Sequence, residues 1–149
     1  MINAYSKFYE SDAEDLLSVF FDYAINDCGF QSNQVAAMFV ETGCAAQFEN
    51  SNPAVLAGMS GVEMARAVIG KACGERDLPK PSYSIDRSAE YWAGWALAQY
   101  QRQTDHSFQE IFACVPLSEV VLFYGIFHEM DIRHFMDAME ARIKNRHRV

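Results

Sequence analysis

The residues with the most obvious chemical promise are His128 and His134, in the run HEMDIRH. The H-E-x-x-H signature holds zinc because its two histidines lie four residues apart and share one helical face. Here the second histidine comes six residues on, about 240° around a helix, and Ile132 occupies the position the ligand requires, so the spacing predicts no metal site. Asp131 reads instead as a helix cap, with Glu129 and Arg133 as a surface pair. Gly58-Met-Ser60-Gly61 falls one residue short of the nucleophile elbow G-x-S-x-G, since Val62 stands where the last glycine belongs. The alanine-rich, proline-containing residues before it are not a strand, and Ser60 is expected to cap a helix. Ile69-Gly70-Lys71-Ala72 has neither the first glycine of a phosphate loop nor the Ser or Thr that would hold magnesium. Local motifs therefore predict no cofactor, no metal and no catalytic centre.

What remains is carboxylates. Asp27 falls inside the apolar arc of the first predicted helix and near its C-terminus, where the helix dipole disfavours negative charge. It reads either as a buried carboxylate kept for binding or proton transfer, or as one paired with an arginine such as Arg87 or with a backbone N–H of the following turn. An enzyme built from Asp27, Asp86, Arg87 and Glu90 in a pocket beside Trp92 would leave no local motif, because dispersed catalytic residues need none. A second group, Asp12, Asp15 and Asp22 with Glu14 beside them, lines the outer arc of that same helix and is the candidate partner-binding surface.

Charge is unevenly spread. The chain has 149 residues, a formal net charge of -8 and 50% hydrophobic residues, within the range of one compact domain over residues 1–149. Residues 1–50 hold eight acids and one lysine, hence -7, whereas the tail at 142–149 carries Arg142, Lys144, Arg146 and Arg148 without an acid between them. An acidic protein is a poor candidate for gripping phosphates, so direct nucleic-acid binding is disfavoured. No uncharged stretch exceeds 13 residues, too short to span a bilayer, and acidic residues precede any apolar run at the N-terminus. The expected setting is the cytoplasm, with Cys28, Cys44, Cys73 and Cys114 as small buried hydrophobes and none in a C-x-x-C pair.

The elements that must position these groups read as helices throughout. Ser11-Asp-Ala-Glu14 resembles a capping box opening a helix that ends at Gly29. Along it Leu16, Leu17, Phe20, Phe21, Tyr23, Ala24 and Cys28 share one arc, and Ser11, Asp15, Ser18, Asp22 and Asn26 the opposite one. Ser32 caps a second helix stopped by Gly43, a short piece follows through Phe48, and Asn52-Pro53 starts a turn reaching Gly58. Ser60-Gly-Val-Glu63 is a further box, opening a helix to Gly74. After a proline loop from Glu75 to Asp86, Ser88 or Asp86 caps AEYWAGWALAQYQRQ, whose all-round apolarity places it at the centre. Ser107-Phe-Gln-Glu110 is a third box, Pro116 starts the next element, and Asp131 caps a last helix through Ile143. Val120 to Phe127 suits a buried strand as well as a helix, and helix is preferred because no second strand-like run exists to pair with it. The predicted fold is an all-α, single-domain bundle of short helices around a central aromatic-rich helix.

Three stretches, NDCGF at 26–30, QFENSNPAVLAGMSGVEMA at 47–65 and IDRSAEYWAGWALAQYQ at 85–101, together resemble a family of small acidic bacterial proteins, and the likeness covers nearly the whole chain. That family has no established activity to carry over. The resemblance implies an accessory role beside toxin–antitoxin-type genes, including those for ADP-ribosyltransferase-like toxins, and treats the tail ARIKNRHRV as a variable end. The leading expectation is a non-enzymatic protein-binding module, antitoxin-like or an inhibitor, whose acidic face covers a basic site on a toxin or nucleic-acid enzyme. The alternatives are a helix-turn-helix regulator using residues 107–145, whose second helix lacks base-reading side chains, and the dispersed enzyme site near Asp27, Asp86 and Arg87.

Overall fold

In the computed structural model, which describes residues 10–52, 55, 58–82 and 87–147, the chain is an all-α bundle with no strand among those residues. The helices are α1 (Glu10–Asp22), α2 (Ser32–Glu41), α3 (Cys44–Glu49), α4 (Gly61–Cys73), α5 (Ala89–Thr104), α6 (Phe108–Cys114), α7 (Leu117–Leu122), α8 (Tyr124–Phe127) and α9 (Ile132–His147). Among the described residues no single helix is long and apolar enough to cross a membrane.

Caps fall where expected at Ser60, Ser88 and Ser107 but not at Ser32, which is the first residue of α2; its N-cap is Gln31, whose side chain makes no cap hydrogen bond. Ser60 accepts from the Glu63 N–H at 3.1 Å while the Glu63 carboxylate accepts from the Ser60 N–H at 3.2 Å, completing a capping box on α4. Ser88 caps α5 through Tyr91 and Ser107 caps α6 through Glu110. Asp86, Pro53 and Ala54 lie outside the described residues. Ser11 lies within α1, which already runs at Glu10, and its side chain lies outside the described residues; the Glu14 carboxylate pairs with Arg102 at 3.0 Å. Asp131 does cap α9, accepting from the Arg133 N–H at 2.9 Å, and it also takes the Arg133 guanidinium, so the anticipated Glu129–Arg133 pair is replaced. Helix α9 continues past Ile143, which puts Arg142, Lys144 and Arg146 on a helix.

Helix α1 does not stop at its last α-helical residue but widens into a π turn over Tyr23–Asp27, where the Cys28 N–H donates to the Tyr23 carbonyl at 3.0 Å. Gly29, at a φ of +81°, then turns the chain.

Packing centres on α1 and α5. Trp92, Ala93, Gly94, Ala96, Leu97 and Tyr100 of α5 are all buried, as its all-round apolarity predicted. A Cβ on Gly94 would lie 2.5 Å from the Leu17 carbonyl oxygen and 2.6 Å from the Ser18 Cα, so the absent side chain is what lets α5 press against the backbone of α1. Gly61 does the same for α4, since a Cβ there would come 2.5 Å from the Val19 Cβ. Thus α1 is clasped from two sides. Ser18, assigned by periodicity to the outer arc, is fully buried for this reason.

Helix α6 meets the stretch Leu117–Phe127, which is α7 with α8, at a bend of 74°. Val120–Phe127 is helical, in two pieces, with Leu122 75% and Ile126 62% exposed, an outward face that a wholly buried strand would not have. The four cysteines are free: Cys28, Cys44 and Cys114 are half-buried, but Cys73 is exposed rather than buried, because it lies on the last turn of α4.

Candidate functional site

Asp12 and Asp15 of α1 are exposed and form no hydrogen bond or ion pair with any described residue. They stand on one wall of a groove of about 700 Å³ between α1 and the start of α4. Leu16, Val19, Met59 and Val62 line it with apolar side chains, and Pro81 of the loop after α4 also borders it. Glu63 and Arg66 border it from α4. The geometry follows from the sequence locally. The capping box at Ser60 starts α4 beside α1, and Gly61 lets the two helices approach at Val19.

The loop that closes the groove is fastened to the π turn. The Tyr23 hydroxyl donates to the Pro79 carbonyl at 2.5 Å, and the two oxygens of Asp27 accept from the Ser82 N–H at 2.9 Å and its hydroxyl at 3.3 Å. Asp27 is therefore a loop anchor. Its partner is a backbone N–H, as one of the two structural readings allowed, but one that lies 55 residues on and not in the following turn. The Arg66 guanidinium lies 5.9 Å from the centroid of the Tyr23 ring. Burial raises the Tyr23 hydroxyl above its ordinary pKa, against the smaller opposing effect of Arg66.

The other predicted site residues are spent inside the fold. Asp22 Oδ1 accepts from Ser88 Oγ at 2.6 Å and from Asn26 Nδ2 at 2.8 Å, and that amide also donates to Glu90 at 2.8 Å. Asp22 and Glu90 thus hold the start of α5 against the end of α1. Glu14 answers Arg102. Of the four acids expected to meet a partner, only Asp12 and Asp15 remain open. Arg87 stacks over Tyr91 at 4.3 Å and does not pair with Asp27. Trp92, 9% exposed, packs edge-on against Phe135. Asp86 lies outside the described residues, and Asp27, Arg87, Glu90 and Trp92 are each committed to different neighbours.

Periodicity missed a second polar cluster. His106 places Nδ1 3.3 Å from Glu110 and Nε2 3.1 Å from Glu140, while the Tyr100 hydroxyl donates to the same Glu140 oxygen at 2.5 Å. Burial and then Glu140 push the Tyr100 hydroxyl well above its ordinary pKa. The His106–Glu110 spacing of four was visible in the sequence; Glu140, brought in by α9, was not. At the basic end, Arg142 donates to Glu119 at 2.8 Å and lies over Phe123 at 4.5 Å, which leaves Lys144 and Arg146 as the exposed cations of the described tail. Among the described residues no group of three His, Cys, Asp or Glu could hold a metal ion.

No family model, curated protein or solved structure matches the chain.

Proposed function

We propose that the chain is a non-enzymatic acidic protein-binding module, antitoxin-like or an inhibitor, whose open carboxylates meet a basic protein such as a toxin or a nucleic-acid enzyme. The observation that carries this reading is the contrast on α1. Glu14 is paired with the Arg102 guanidinium and Asp22 accepts hydrogen bonds from Ser88 and Asn26, whereas Asp12 and Asp15, a few residues away, face solvent without a partner among the described residues. The chain carries a formal net charge of -8, so a basic protein is attracted to it over distance. The setting in this reading is a reducing cytoplasm, which suits four free thiols.

The test compares affinity capture by the wild-type chain and by the Asp12→Asn/Asp15→Asn variant. The expected result is a basic protein that the wild type retains at low salt, that salt elutes, and that the variant loses while folding normally. Equal capture by both proteins refutes the reading. Retention of DNA with a steep salt dependence would favour the regulator instead.

A further inference from the structure

We propose that the groove between α1 and α4 seats a short amphipathic segment of the partner, with one lysine or arginine between Asp12 and Asp15 and apolar side chains on Val19, Met59 and Val62. This rests on the acidic-module reading and specifies how the partner is held.

The groove has a charge order. From Asp12 to Tyr23 is eleven residues, about 16 Å of helical rise, and Arg66 lies beside Tyr23. The Asp12 and Asp15 carboxylates therefore lie towards the start of α1 and the Arg66 guanidinium towards its end, with apolar side chains and Glu63, which already accepts from the Ser60 N–H, also lining the groove. A lone cation gains little at open carboxylates in water, because solvent and salt screen the attraction. An uncharged apolar segment gains nothing from Asp12 and Asp15. A segment with cations at both ends meets Arg66. The ligand that satisfies all three zones carries its cation at one end, an apolar side chain three or four residues along, and no second cation beyond.

The groove is also built before anything occupies it. Tyr23 and Asp27 fasten Pro79 and Ser82, which fixes Pro81 at the groove's side. A preformed wall spares the ordering cost of binding.

The probe is a fluorescein-labelled helical peptide of about eleven residues, about 16 Å long, with one lysine near one end and leucines three and four residues on. Control peptides replace the lysine by glutamine or the leucines by serine, and binding to the full chain is read by fluorescence anisotropy at low salt. The expected result is that the parent peptide binds and that each control peptide loses affinity. The Asp12→Asn/Asp15→Asn variant should weaken the parent about tenfold. Met59→Ser and the near-isosteric Val62→Thr, both checked by circular dichroism, should weaken it about threefold or more. If the charge variant loses binding while the Met59 and Val62 variants match wild type, the groove is not the seat, although the acidic face still binds. No binding of the parent peptide also overturns the groove. Unchanged binding by the charge variant, or by the glutamine peptide, overturns both the groove and the acidic module.

Discussion

Ser18 is fully buried, and its hydroxyl has no hydrogen-bond partner among the described residues. A buried hydroxyl that has lost water and found nothing in return costs stability, on the order of 1 kcal/mol. Ser18→Ala should therefore raise the urea midpoint, by a stability gain of about 1 kcal/mol, and a loss of that size would show the hydroxyl to be paired. The thiols form a second residue-scale contrast. Burial pushes Cys44 up to about 11, whereas Cys73 is exposed. The thiolate is the reactive species, so timed alkylation at neutral pH followed by mass spectrometry should label Cys73 first and Cys44 far later. Because the folded value of Cys44 lies above its ordinary one, the stability it contributes is present below pH 9 and is lost as pH rises from there through about 11. At this scale the sequence marks Asp27 as anomalous, since it is a carboxylate on an apolar arc. It does not reveal the reason, because Ser82 reaches it from a loop 55 residues away.

At the scale of elements, two glycines decide how α1 is held. Alanine is ordinarily the better helix former by about 1 kcal/mol, and Gly70, with open space around it in α4, should follow that rule: Gly70→Ala is expected to stabilise by about 0.5–1 kcal/mol. Gly94→Ala should do the reverse. Its new methyl would meet the backbone of Leu17 and Ser18, which no side-chain rotation can clear, and the net cost should be about 1–3 kcal/mol. Thermal or urea unfolding of the two variants reads both signs, and a stabilised Gly94→Ala would mean that α1 and α5 are further apart. The same contact explains which parts of the pattern were legible. Capping residues at Ser60, Ser88 and Ser107 act within one turn of their own helix, so their positions follow from local sequence. Ser18 and Asp22 look solvent-facing because periodicity registers apolar side chains, and a glycine that invites a second helix leaves no apolar mark.

Across the whole molecule, ring contacts among the described residues gather into two aromatic clusters. In one, Phe39 meets Phe20, Phe21, Phe48 and Phe108; in the other, Phe135 meets Trp92, Tyr100, Phe123 and Phe127. Phe39→Leu and Phe135→Leu should each cost about 1–2 kcal/mol, and in the double variant the costs should add to within about 0.5 kcal/mol, since the two rings share no ring neighbour in these contacts. A larger coupling in denaturant unfolding would show that the clusters respond as one body. The centrality of residues 88–103 was readable from apolarity on every side. The groove was not, because its walls come from α1, α4 and the loop at Pro81, three segments that only the tertiary fold brings together. One of those walls depends on a detail of counting. A π turn is an α-helix carrying one residue too many, so rewinding the same residues as a regular α-helix would swing the positions at its end by one residue's rotation, about 100°. Asp27 would then point away from Ser82, the loop at Pro81 would lose its tether, and a change of winding alone would reshape a groove it never touches.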